Sequence, residues 1–250
     1  MNKEGQVTIF IILGILIVIS IIIYFFLYGD PDSVNPKSEV PENFVGSCVE
    51  ESLEKAIRKI LENGGEISPN FTISYRDLNY TYLCYQADYY QSCYNLRPML
   101  EFQIEEEIRE NTITEVEKCL EDLESDLKSK GFEVSSFGEM EYEINILPGF
   151  IEYSLRENII ASKEGTSQTL NNFDGEYNTY LHRLIQVTRD VINSEAQFCN
   201  FEYNGYMLLY PELDIKRIDV DGSKLYNIRY RDSNENFKFA VRSCAFAPGV

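Results

Sequence analysis

From residue 7 to residue 28 the chain reads VTIFIILGILIVISIIIYFFLY, without one charged side chain. As a helix this run would rise about 33 Å, enough to cross a hydrocarbon core of about 30 Å. Tyr24 and Tyr28 fall near its far end, where amphipathic rings favour the membrane interface, and Gly29, Asp30 and Pro31 stop it. The pattern predicts a leader over residues 1–5, a transmembrane helix over 6–28 and a tether over 29–43 carrying Pro31, Pro36 and Pro41. A cleaved secretory peptide is the competing reading. It would have an apolar stretch of only about 7–15 residues and a small-x-small site, and YFFLYGD offers none.

Beyond the tether the period becomes helical. Val49, Leu53, Ala56, Ile57, Ile60 and Leu61 mark one face of a helix that starts at a capping box on Ser47 and ends at Gly64-Gly65. Residues 98–130 repeat the pattern, in one helix or in two pieces divided at a second capping box on Thr112. Alternation then predicts strands over 132–135, 141–147, 150–155 and 159–162, with Pro148-Gly149 as a turn. A helix resumes near Phe173, with Tyr177, Leu181, Leu184, Ile185, Val191 and Ile192 on one face. Strand-like runs follow at 206–210, 215–220, 225–231 and 237–242, with Asp221-Gly222 as a hairpin turn. Strands in runs with helices grouped between them indicate α+β. The expectation is a mixed domain over 44–250 with antiparallel sheet and about three amphipathic helices.

Charge changes the picture of partners. The formal net charge is −19, with no basic stripe to offset it, which disfavours nucleic acid. Lys3 and the α-amino group are the positive charges on the N-terminal side of the apolar run, whereas the far side opens with Asp30 and Asp32. The positive-inside rule then predicts a cytoplasmic N-terminus and an extracellular C-terminal domain.

The first residues, Lys3-Glu4-Gly5-Gln6-Val7-Thr8-Ile9-Phe10, resemble the class III leader of archaeal type IV pilin-like proteins. The resemblance covers residues 1–28. It implies cleavage between Gly5 and Gln6 by a prepilin-type peptidase, leaving the apolar helix in place. Glu4 stands where that family carries a basic residue, and GDPDSVNPKSEVP breaks the helix that a pilin would continue. A tethered head is expected rather than a filament shaft. More loosely, Cys48, Gly64-Gly65, Pro98 and Cys119-Leu120 are similar to a group of surface proteins of small-genome archaea, from which location alone carries over.

Cys48, Cys84, Cys93, Cys119, Cys199 and Cys244 are even in number in a domain placed outside, which predicts disulfides. The favoured pairs are Cys84–Cys93, closing a Tyr-rich loop, Cys48–Cys119, stapling two helices, and Cys199–Cys244, tying the last helix to the final strand. Each would contribute about 2–4 kcal/mol. The chain has no Cys-x-x-Cys pair and a single histidine, His182, so zinc spacing is lacking and no metal or cofactor is assigned. Asn70-Phe71-Thr72 and Asn79-Tyr80-Thr81 are candidate glycosylation sites.

No catalytic residue is assigned. No Gly-x-Ser-x-Gly elbow accompanies His182, and Glu105-Glu106-Glu107 and Glu121-Asp122 read as solvated helix faces. Asp214, Asp219 and Asp221 lack EF-hand spacing. Tyr85, Tyr89 and Tyr90 form a candidate contact surface within a segment whose rings otherwise pack on the core. The expected function is a membrane-tethered surface protein of adhesion or assembly, not an enzyme, with the membrane, envelope proteins, glycans or its own copies as partners. A solute- or carbohydrate-binding receptor using the tyrosines, or an envelope enzyme with paired carboxylates, are the alternatives.

Overall fold

The computed structural model describes residues 41–247. The transmembrane helix expected over residues 6–28, and the expected cleavage between Gly5 and Gln6, lie outside them. Among the described residues no helix is long and apolar enough to cross a membrane.

Helix α1 (Pro41–Glu62) begins earlier than its sequence signature. Proline suits a first helical turn because its missing N–H would have no partner there. Residues 41–43, expected in the tether, are therefore helical, and Ser47 lies inside the helix, where its hydroxyl donates to the Asn43 carbonyl at 2.9 Å. The C-terminus is the expected one: Gly64 and Gly65 take positive φ, and the Gly65 N–H bonds the Ile60 carbonyl at 2.9 Å. A side chain at Gly65 would meet Ile104 and Leu100, so this glycine also lets α1 close onto the next helix.

Three short strands follow, β1 (Thr72–Tyr75), β2 (Leu78–Tyr85) and β3 (Tyr94–Asn95), and then helix α2 (Leu100–Ser129). α2 is continuous. Thr112 does not cap a second piece; it is buried, and its hydroxyl donates to the Ile108 carbonyl at 2.8 Å.

Strands β4 (Glu133–Leu147), β5 (Phe150–Lys163) and β6 (Thr166–Asn178) make an antiparallel sheet of three. The two runs expected over 150–162 are one strand, with a register shift between Arg156 and Ile159. Phe173 belongs to β6, not to a helix, and helix α3 starts later (Leu181–Phe198). The run around 206–210 is likewise a short helix, α4 (Tyr203–Leu209). Strands β7 (Leu213–Val220), β8 (Ser223–Tyr230) and β9 (Asn236–Arg242) close the chain.

Among the described residues the fold is thus α+β with four helices and two sheets, where about three amphipathic helices were expected. The larger sheet is mixed rather than antiparallel. Its order is β1-β2-β9-β8-β7, with β3 on β2, and β2 runs parallel to β9. Helices lie against both sheets: α1 touches β6 and β9, α2 touches β4, and α3 touches β4, β8 and β9. Their apolar stripes meet Ile151, Tyr153 and Leu155 of β5 and Phe237, Phe239 and Val241 of β9 in one continuous core. The cysteines pair as Cys48–Cys119, Cys84–Cys93 and Cys199–Cys244.

Candidate functional site

Strand alternation sets up an aromatic surface on the outer face of the mixed sheet. On β9, Phe237, Phe239 and Val241 enter the main core, which turns Ala240 and Arg242 outward. On β2, Leu83 faces inward and Tyr80 and Tyr82 face outward. The register sets Tyr82 beside Ala240 and Tyr85 beside Arg242. Tyr80, Tyr82, Leu225 and Ala240 form a second small core there, edged by Ile73, Tyr75, Tyr85 and Val220. The Tyr82 hydroxyl meets the Ser223 hydroxyl at 2.8 Å.

From this base an aromatic band runs outward. Phe71 packs 4.9 Å from both Tyr82 and Tyr85, ring centre to ring centre. The Arg242 guanidinium lies 5.7 Å from the Tyr85 ring and 5.3 Å from the Tyr89 ring, bridging the sheet to the loop. Tyr90 lies 6.4 Å from Tyr89 and meets Phe246 edge-on at 5.7 Å. Tyr82 is buried at the base of the band, whereas Tyr90 is 54% and Phe246 75% exposed at its outer end.

The loop 86–93 is held firmly for its length. The Cys84–Cys93 disulfide closes it. The Tyr90 N–H donates to the Ala245 carbonyl at 3.0 Å, and the Cys244 N–H donates to the Gln91 carbonyl at 2.7 Å. Arg242 donates to the carbonyls of Gln86 and Ala87. Such bracing presents the rings with little ordering cost on binding.

The expected tyrosines therefore divide. Tyr89 and Tyr90 are exposed, Tyr85 is half-buried, and Tyr80 and Tyr82 are core. Phe71, Arg242 and Phe246 complete the band, and sequence reading missed them. Arg242 sits more than 150 residues from its ring partners, so no local pattern announces it. Both sequon asparagines, Asn70 and Asn79, are exposed, and Asn70 adjoins the band through Phe71.

A cleft of about 410 Å³ lies beside the band, lined by Arg217, Asp219, Lys224, Cys199, Cys244 and Phe246 among others. Below it is a fully buried carboxylate, Glu195. It accepts from the Lys224 ammonium at 2.5 Å and from the Tyr226 hydroxyl at 2.5 Å. Burial first, then the Glu195 charge, pushes the Tyr226 phenol far up, so it stays a proton donor. Lys224 also donates to the Cys199 carbonyl, and the Ser243 hydroxyl to the Glu195 carbonyl. These bonds join α3 to β8 and to the chain after β9. The groups answer one another, leaving no carboxylate or ammonium turned unpaired into the cleft.

Several other carboxylates also find partners. Glu105 is half-buried rather than solvated and accepts the Ile146 N–H at 2.8 Å; burial raises its affinity for a proton. Glu107 accepts the Ile67 N–H at 3.2 Å, and Glu106 pairs with Arg109. Glu121 and Asp122 are exposed. An acidic groove of about 610 Å³ collects Glu117, Glu121, Glu124 and Glu157 beside Lys128. Burial, then Glu124 and Glu117, push Glu157 up, while the Lys128 hydrogen bond pulls Glu124 down. Asp214 pairs with Arg229 and Asp219 with Arg217. His182 is half-buried on α3, 3.4 Å from the Gln186 amide nitrogen. Comparison with protein-family models, with curated proteins and with solved structures finds no match for this chain.

Proposed function

We propose that this chain is a membrane-tethered cell-surface protein whose outward domain grips an envelope or cell-surface partner through the aromatic band, without catalysis. The single observation that carries this reading is the braced series Phe71, Tyr85, Arg242, Tyr89, Tyr90 and Phe246, in which Phe71, Tyr89, Tyr90 and Phe246 are exposed. Rigid aromatic rings with one arginine are the side chains that dominate binding energy at protein surfaces. The uncharged run over residues 7–28 and three disulfides support placement outside a membrane.

A carbohydrate partner is the second reading, because exposed ring faces beside a guanidinium also suit sugar rings. Binding of the full chain to isolated envelopes, before and after periodate oxidation of glycans, separates the two. Tyr89→Ala with Tyr90→Ala should weaken either interaction at least tenfold. Undiminished binding by that variant would remove the band from the function.

A further inference from the structure

The largest apolar exposures in the described domain lie away from the band. Leu208 is 85% and Leu209 76% exposed, at the end of α4. Their helix is not loose. The Tyr206 hydroxyl donates to Asp190 at 2.7 Å, its ring packs 5.1 Å from Phe201, and the Met207 sulfur accepts the Ile215 N–H at 3.2 Å. The same helix that is pinned on one side therefore holds two leucines out in water on the other. Tyrosines flank them, each under a guanidinium: Arg217 is 5.5 Å from the Tyr203 ring and Arg183 4.6 Å from the Tyr210 ring.

From this arrangement we infer that α4 is a membrane-surface wedge: Leu208 and Leu209 dip into the boundary of a lipid bilayer, with Tyr203, Tyr210 and their arginines at headgroup level. Leucines on an amphipathic helix enter that boundary, and tyrosine and arginine favour the interfacial layer. Two projecting leucines bury far less than the roughly 1,200 Å² a stable protein interface requires. Two copies of a chain with net charge −19 repel each other, whereas a zwitterionic bilayer offers no such opposition.

Access to the bilayer rests on the tethered reading above. In that reading twelve residues, 29–40, join the apolar run to the domain.

The chain contains no tryptophan, so one substitution makes a unique reporter. Full-length Leu208→Trp, reconstituted in phosphatidylcholine vesicles with brominated acyl chains, should show blue-shifted emission. Its quenching should be at least threefold stronger than that of Phe137→Trp, an exposed position on the other sheet. Equal quenching at the two sites overturns the wedge. So does a blue shift that follows protein concentration without quenching, which would mark a contact between copies. Flotation after an alkaline wash reads the anchor separately. A Leu208→Trp chain that stays with the vesicles while its indole is unquenched keeps the anchor and loses the wedge. A chain that washes off, yet is quenched when vesicles are added, loses the anchor and keeps the wedge.

Discussion

Tyr153 of β5 lies directly over Gly175 of β6, its cross-strand neighbour, so closely that a methyl group on Gly175 would overlap the tyrosine ring and hydroxyl. The same hydroxyl faces Gly46 of α1, where an added Cβ would sit 3.3 Å away. Two glycines thus make the slot that lets α1 rest on the three-stranded sheet. Gly175→Ala should destabilise the domain by about 1–3 kcal/mol through overpacking, read as a lower urea midpoint. An unchanged midpoint would mean that the ring moves aside freely.

Tyr142 and Tyr153 have phenols pushed up to about 12, in each case first by burial. At Tyr142 the Thr112 hydroxyl offsets part of this, and at Tyr153 the charges of Glu50 and Asp174 add to it. Unfolded tyrosine titrates near about 10. A raised folded value means that the folded state keeps its proton longer. The associated stability is full below about pH 10 and is lost as pH rises through about 12. Urea midpoints across this range should fall, with phenolate absorbance from these two rings appearing only as the protein unfolds.

Removing Glu195 strands Lys224 and the Tyr226 hydroxyl in the interior. Glu195→Ala should cost about 3–5 kcal/mol, the usual penalty for leaving one member of a buried pair without the other. The double variant Glu195→Leu with Lys224→Met should recover much of that loss. Thermal melts of the two variants test the pairing, and equal destabilisation by both would contradict it.

Cys84→Ala with Cys93→Ala opens the loop that carries Tyr89 and Tyr90. The loss of stability should be about 2–4 kcal/mol. Hydrogen exchange at the Tyr90 amide, now protected by the Ala245 carbonyl, should rise more than exchange in α3. Partner binding should fall even where the rest of the domain stays folded.

Cleavage between Gly5 and Gln6 is expected from the leader resemblance. Intact-mass measurement on membrane-extracted protein should show a chain lacking residues 1–5. Retention of Met1 would count against a prepilin-type leader.

What was legible in the sequence was what repeats locally. Val49, Leu53, Ile57 and Ile60 announce α1 because one face of that helix is wholly buried. β6 stayed hidden because it is an edge strand with mostly exposed side chains, among which only Leu170 and Phe173 are buried apolar positions. Tyr206, Leu208 and Leu209 read equally as strand or helix, since a short apolar run has no decisive period. The meeting of Tyr85 with Arg242 follows from parallel pairing across most of the domain, which nothing near either residue encodes. Cysteine parity did signal disulfides, because an even set without zinc spacing has few other uses.

The position of β9 has a temporal consequence. β9, the last of the described strands, sits between β2 and β8, so the mixed sheet lacks its middle until residue 242 is available. A chain emerging N-terminus first can oxidise Cys84 with Cys93 while β2 still offers a bare edge, but Cys199 must wait for Cys244. A stalled or truncated product would therefore hold an unsatisfied strand edge and an odd thiol, the two marks by which exported proteins become sticky and cross-linked. Quality control of this domain is concentrated between residues 236 and 244.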